Sequence, residues 1–418
     1  MKKVLISAYA CIPDRGSEEG NGWYYSSLVS QEGYQVWCLT RDIGKAEIEQ
    51  KLKQCSYPNL NFVFVTVPKW VDKAYSRGLL GMYFHYIYWQ WATLQMAIKL
   101  NKAHQFDLVH HVSYTSLQLG SFLYKLKRPF IYGPVGGGQE APDIMRHYFK
   151  EHWTKEKMRS MVSDLMLRFN PGCYQSVRQA DYVLAWNEDT RRMIHSLGRV
   201  KAVEKEFGGV GRYFIPAEPT YRSSSATLQL VWVGRLMPRK ALELSLHGLS
   251  KVQADVPVHL TIVGDGEMGK YVPEYIAKYK LENRVTWVGK VSYEKVKEYY
   301  KQADVFYFTS LRDTGPAQLM EAMAYSLPVV TLHLHGQAEL VNDTTGIRVP
   351  ITDPETVAAE LAKAIEWMYY NEDKRVTMGL NAFDFAQRQV WESKVSHLVK
   401  TYYHPIIQLE VTESLPLV

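Results

Sequence analysis

The sequence predicts an α/β protein built as two similar halves, and three stretches carry that expectation. Residues 2–8 form a short apolar strand that opens into a glycine-bearing loop, residues 11–22. A helix from about Trp23 to Gln31 and a strand at residues 35–40 follow, which makes a β-loop-α-β unit. Residues 228–233 begin a second α/β half, closed by Gly234 and Arg235. Residues 303–309, apolar and aromatic, form a buried strand that turns at residues 310–316 into a helix of good helix formers from Ala317. Pro316 fits the first helical position, where a missing N–H costs nothing. Open α/β sheets bind ligands at such carboxyl ends of strands.

Composition bounds the rest. A chain of 418 residues is long enough for two or three domains. Hydrophobic content of 46% and charged content of 22% are globular values, which argue against a disordered chain. Cys11, Cys38, Cys55 and Cys173 form no C-x-x-C pair. They read as reduced cytosolic thiols, not a disulfide frame or a zinc site. Met1-Lys-Lys and the apolar run behind it resemble a signal peptide, but Pro13, Asp14 and Arg15 cut the run, so a first strand is the better reading. No apolar run reaches about eighteen residues, and no transmembrane helix is expected. The net charge of +6 is uneven, with 27 Lys+Arg against 19 Asp+Glu in residues 1–210 and 22 against 24 in the remainder. An anionic surface is therefore expected to meet the N-terminal half. No nucleic-acid partner is expected.

In the first half, residues 60–67 read as a strand. Residues 73–100 follow, centred on Tyr83-Phe84-His85-Tyr86-Ile87-Tyr88-Trp89-Gln90-Trp91. Their polar residues, among them His85, Gln90 and Thr93, are too scattered for a clean amphipathic stripe. A buried helix and a helix at a membrane interface both stay open. Residues 106–111 are a strand ending in His110 and His111, which alternation sends to opposite faces. Residues 129–132 are a strand that runs into Gly133-Pro-Val-Gly-Gly-Gly138, either cleft lining or a hinge. Residues 145–169 are a basic helical stretch, either a solvated face or a surface for anionic lipid headgroups. After a strand at 181–185, the loop 207–212 and the polar link 218–227 mark the domain boundary. The expected domains are residues 1–215 and 216–390.

In the second half, Arg235 and Lys240 sit five apart around a turn, a spacing that suits a diphosphate leaving group. The strand 258–263 leads into Gly264-Asp-Gly-Glu-Met-Gly269, which fits G-x-G-x-x-G and admits a nicotinamide-dependent oxidoreductase. That fingerprint needs an acid about 20 residues on, at the end of the next strand. The strand 284–288 ends in Gly289-Lys290 instead. At the Ala317 helix, the N–H groups of Ala317 and Gln318 and the helix dipole favour an anion, most naturally a phosphate. Glu321 lies roughly 7 Å further along at ~1.5 Å per residue. There it either hydrogen-bonds a ribose or is an ordinary exposed helix acid. Asp353 caps a helix from Pro354, and residues 411–418 read as a loose tail.

Asp313-x7-Glu321 followed by Ala-Met-Ala resembles the E-x7-E signature of family 4 retaining glycosyltransferases, which have the GT-B fold of two Rossmann-like domains facing a cleft. Asp313 stands where the family has Glu, and Pro316 where it usually has Gly. The resemblance covers roughly residues 2–400. It implies that the final helix, about residues 391–410, crosses back to the first domain. Among catalytic residues it implies Arg235 and Lys240 as the phosphate pair, Asp313 orienting donor sugar hydroxyls, and His111 on the acceptor side with His110 in reserve. For donor binding it implies Gly16, Ser17, Gly264, Gly266, Glu267, Thr314, Gly315, Ala317, Gln318 and Glu321. Glu19 is placed near the donor phosphates and acceptor.

The implied reaction is retaining transfer from a UDP- or GDP-linked sugar to a glycan or lipid-linked acceptor, in surface polysaccharide biosynthesis, with no metal or other cofactor. The implied location is the cytoplasm, at the inner face of the plasma membrane through the N-terminal domain. The other readings are a catalytically inactive sugar-nucleotide binder and the oxidoreductase.

Overall fold

The computed structural model describes residues 1–198, 200–222 and 225–413. The chain forms two compact units. The first comprises Met1–Gly138, Met161–Gly209 and the chain from Trp391; the second comprises Gln139–Ser160 and Val210–Val390. Residues 139–160 thus pack with the second unit, although the sequence alone would leave them in the first domain.

The first unit is a seven-stranded parallel sheet: β1 (Lys3–Ala8), β2 (Gln35–Thr40), β3 (Leu60–Phe64), β4 (Leu108–Ser113), β5 (Phe130–Val135), β6 (Tyr182–Ala185) and β7 (Val203–Lys205). Their order is β3-β2-β1-β4-β5-β6-β7. The second unit is a six-stranded parallel sheet: β8 (Leu228–Val233), β9 (Val258–Val263), β10 (Val285–Gly289), β11 (Val305–Phe308), β12 (Val329–Leu332) and β13 (Gly346–Val349). Their order is β10-β9-β8-β11-β12-β13. Helices cover both faces of such sheets, which is why the central strands read as unbroken apolar runs. In each unit the strand order reverses between two central neighbours, β1 and β4 in the first and β8 and β11 in the second. Ligands of open α/β sheets sit outside the carboxyl ends of such a pair.

The first sheet has two cores. On one side Trp23, Tyr25, Trp391 and Tyr403 pack over β1 and β2. On the other, Tyr9, Tyr86, Trp89 and Phe106 do. The Trp89 indole donates to Val65 O at 3.1 Å, which satisfies its one polar atom in a fully buried position.

Three expectations change on contact with the structure. The first helix runs Ser17–Gln31, so Gly20 and Gly22 are helical and not part of a flexible loop. A Cβ on either would lie 2.1 Å from a backbone oxygen, of Arg15 and Ala10 respectively. These glycines serve close packing. Residues 145–169 are not one helix, because Asp143–His152 is a 3-10 stretch broken at Lys150 (φ 48°) before the helix Trp153–Phe169. The terminal helix His404–Glu413 extends into the expected tail, and residues 414–418 lie outside the described residues. Asp353 caps its helix, accepting from Thr356 N at 3.0 Å.

Candidate active site

The turn after β8 and the turn after β11 leave adjacent strands, and they lock together. Leu311 N donates to Arg239 O at 2.8 Å, and the Arg239 guanidinium donates to Arg312 O at 2.9 Å. Pro238–Lys240 is a single 3-10 turn, so Arg239 and Lys240 project from consecutive positions. Both reach the same oxygen. Arg239 Nη1 lies 2.9 Å from Asp313 Oδ2, and the Lys240 ammonium also donates to Oδ2. The Lys240 ammonium sits 4.6 Å from the centre of the Phe308 ring. Burial lowers the Lys240 pKa to about 8, against the pull of Asp313. Burial pushes the Asp313 carboxyl up, but Lys240 and Arg239 outweigh it and bring it down to about 2. At neutral pH the result is a carboxylate flanked by two cations at a sheet switch point.

Of the expected phosphate pair, the structure brings Lys240 to Asp313 and leaves Arg235 exposed, without an ion pair among the described residues. Arg239 takes the place beside Lys240. The sequence signal was ambiguous, because only the shape of the 3-10 turn decides which arginine of Arg235-Leu-Met-Pro-Arg239 faces the carboxylate.

The helix Ala317–Ala324 starts directly behind Asp313, with Pro316 as its N-cap and no side chain capping it. Thr314, Gly315, Ala317 and Gln318 are partly exposed there. Glu321 is buried, which removes the reading of an ordinary exposed acid. Two tyrosines of the helix Tyr293–Gln302 hold it: Tyr293 donates to Oε1 at 2.9 Å and Tyr300 to Oε2 at 3.3 Å. Burial raises the Glu321 pKa, and these two hydroxyls oppose the rise. Neither tyrosine was legible as a site residue, since nothing in Tyr293–Tyr300 marks which ring turns towards the next helix.

Gly264 and Gly266 answer to packing. Gly264 has φ 142°, and a Cβ there would sit 1.9 Å from Gly234 O; one on Gly266 would sit 2.5 Å from Leu236 O. They let the turns after β8 and β9 touch, which accounts for the glycines without a dinucleotide. Glu267 is exposed in the same turn.

In the first unit the turns after β1 and β4 meet in the same way. Gly16 is the extended N-cap of the Ser17–Gln31 helix; the Ser17 side chain lies outside the described residues. Glu18, one turn position from the expected Glu19, accepts from Thr115 N at 3.1 Å and from the Thr115 hydroxyl. Burial raises its pKa to about 7. His110 and His111 are both fully buried. His110 Nε2 donates to Gly133 O and Nδ1 accepts from Tyr403 Oη, each at 2.7 Å, which makes it a structural residue. His111 Nε2 donates to Tyr114 O at 3.3 Å, and its buried Nδ1 has no partner among the described residues. Burial lowers both pKa values, to about 3 and about 4, so both rings are neutral at physiological pH. The run Gly133–Gly138 packs against the helix Glu188–Ser196, with Gly137 N donating to Thr190 Oγ1 at 3.1 Å.

Residues 221–385 match the family model "Glycosyl transferases group 1". The chain is 23% identical over 173 residues to the uncharacterized glycosyltransferase MJ1178 of Methanocaldococcus jannaschii, covering 41% of this chain and 47% of that one. It is 32% identical over 155 residues to the putative colanic acid biosynthesis glycosyltransferase WcaL of Salmonella typhimurium, covering 34% and 38%. The chain spans less than half the length of these curated relatives. Among solved structures, Anabaena Alr3699/HepE in complex with UDP superposes with a TM-score of 0.63 at 18% identity, over 97% of this chain and 100% of that one. Residues 221–385 thus resemble the glycosyl transferases group 1 domain, and the chain has the GT-B fold.

Proposed function

We propose that the chain is a family 4 retaining glycosyltransferase that moves a hexose from a nucleoside diphosphate sugar to a glycan or lipid-linked acceptor in surface polysaccharide synthesis. The observation that carries this reading is the meeting of Arg239, Lys240 and Asp313 with the uncapped start of the Ala317–Ala324 helix. The chemistry requires charge stabilisation on a departing diphosphate, and preorganised donors in a water-poor site supply most of it. The helix start and the two cations would hold the diphosphate, Glu321 the ribose, and Asp313 the sugar hydroxyls. The polysaccharide relatives and the UDP complex of a fold neighbour support the choice of donor and acceptor class. In this reading protein cations neutralise the diphosphate without a metal. Purified protein incubated with UDP- and GDP-sugars should turn over at least one donor with retention, and EDTA should leave the rate unchanged. Loss of turnover in EDTA, restored by Mn²⁺ or Mg²⁺, would overturn the cation-pair account.

A membrane-surface acceptor is favoured by a specific feature of the first unit. In the helix Leu79–His104 the polar His85, Gln90 and Thr93 are buried, while Leu80, Phe84, Ile87 and Trp91 are exposed. The helix buries those polar residues together with Tyr86, Trp89 and Leu94 and leaves a second apolar face outside. Its exposed residues recur at helical spacing and form one stripe. Trp70, 61% exposed on the helix Lys69–Tyr75, extends the stripe with its ring 5.9 Å from Phe84. Lys69, Lys73 and Arg77 are exposed beside it. Among the described residues no helix is long and apolar enough to cross a membrane. An apolar, aromatic stripe edged by cations suits a helix lying on anionic lipid. The protein should float with phosphatidylglycerol vesicles at low salt, and Phe84→Ser with Trp91→Ser should weaken that binding about tenfold or more. Absence of flotation, or flotation unchanged in the double variant, would remove the membrane. A dimer in ultracentrifugation that the double variant dissolves would assign the stripe to a second copy.

A further inference from the structure

Residues 139–160 leave the first sheet after β5 and pack as a strap on the second unit. The strap is anchored by Tyr148, whose hydroxyl lies 2.9 Å from His247 Nδ1, and by Lys150, 2.8 Å from Glu274. Its two ends then converge on the turn that carries Asp313. Thr314 Oγ1 donates to Gln139 Oε1 at 3.1 Å. Glu156, a buried acid, takes Arg312 in a two-point pair, with Arg312 Nε 2.5 Å from Oε1 and Nη2 3.1 Å from Oε2. Arg159 lies 3.3 Å from the same Oε1.

We propose that Glu156 is a positioning residue for the diphosphate cradle: by holding and neutralising Arg312 it keeps Asp313 committed to Lys240. The inference rests on the proposed donor site. The groups facing Lys240 are Asp313, Arg239 and Arg312, and the Phe308 ring lies against its ammonium. Behind them stand Arg159 and Glu156. Four cations therefore share two carboxylates, an imbalance that suits a bound dianion and makes each carboxylate consequential. The Arg312 charge already lowers the Lys240 pKa. Removing the Glu156 charge leaves Arg312 unneutralised one residue from Asp313. Arg312 then competes for that carboxylate, and the ammonium of Lys240 becomes harder to keep. Removing the Arg312 charge does the opposite.

The test is the pH dependence of UDP and GDP binding, read by calorimetry, and of donor turnover in the full chain. Wild type should lose affinity as pH rises through about 8, the Lys240 pKa. Glu156→Gln should shift that alkaline limb down by on the order of half a pH unit or more, and Arg312→Gln should shift it up. The double variant Glu156→Gln/Arg312→Gln should return towards wild type. A strap that served only to brace the fold would alter thermal stability and move neither limb. If Glu156→Gln fails to fold, the upward shift in Arg312→Gln decides the matter. Limbs unchanged in both variants, in a wild type that binds nucleotide, overturn the role of Glu156. A wild type that binds neither nucleotide overturns the donor site itself.

Discussion

Lys240→Ala should lower kcat/KM for sugar transfer by about 100- to 1000-fold, the usual effect of deleting one preorganised donor to a developing negative charge. The loss should fall mainly on kcat, because the diphosphate gains most of its charge as the glycosidic bond breaks. Lys240 is suited to this role by its surroundings. Its ammonium is buried on Asp313 and against Phe308, so its field acts through little water. Wild-type activity should fall as pH rises through about 8, where the ammonium deprotonates. Alanine removes the group that titrates, so the residual activity should lack that limb. Arg239 remains on Asp313 in the variant, which keeps the carboxylate paired and the site folded. Arg235→Ala, by contrast, removes an exposed side chain outside the cluster and should cost far less. Initial rates with whichever nucleotide sugar the wild type turns over measure both. A Lys240→Ala rate within threefold of wild type would end the diphosphate reading.

The contrast between Arg235 and Arg239 shows where sequence reasoning stopped. The strand, turn and helix around Asp313 and Glu321 are local in sequence: apolar content gives the strand, helix formers give the helix, and seven intervening residues set the carboxylate spacing. The two-unit architecture was legible for the same reason, since each β-loop-α repeat announces itself within about 30 residues. Which arginine reaches Asp313 depends on a 3-10 turn of three residues, and Arg235 and Arg239 both satisfy the composition of a cationic turn. The tyrosine pair on Glu321 and the Thr115 partner of Glu18 depend on tertiary contact, as does Glu156, which lies 156 residues before Arg312. The stripe on Leu79–His104 hid for a different reason. Its polar residues bury beside Tyr86 and Trp89 by finding partners, His85 on Tyr9 at 2.8 Å and Gln90 on Tyr86 at 2.9 Å, while other apolar residues stay outside. A pattern read on hydrophobicity alone averages such a helix to no face at all.

Glu321→Gln should raise the UDP dissociation constant and the donor KM together, by about tenfold, and leave kcat near wild type. A carboxylate that accepts from ribose hydroxyls binds ground state and transition state alike, so its loss is uniform. A hydrogen bond to a charged group is worth about 1.5–3 kcal/mol, and the amide retains part of it. Glu321→Ala should exceed the glutamine variant in binding loss and also destabilise the domain. The hydroxyls of Tyr293 and Tyr300 would lose their acceptor in a buried site, at about 1–3 kcal/mol. Glutamine keeps an acceptor for one of the tyrosines. The pH dependence separates the carboxylate from its volume. Burial holds the Glu321 pKa above the 4.5 of a free side chain. UDP affinity in wild type should therefore weaken as pH falls through that raised value, because a protonated acid accepts less well from a hydroxyl. The glutamine variant should show no such acid limb. An acid limb of equal size in both proteins would assign it to another group and leave Glu321 as a structural anchor for the two tyrosines.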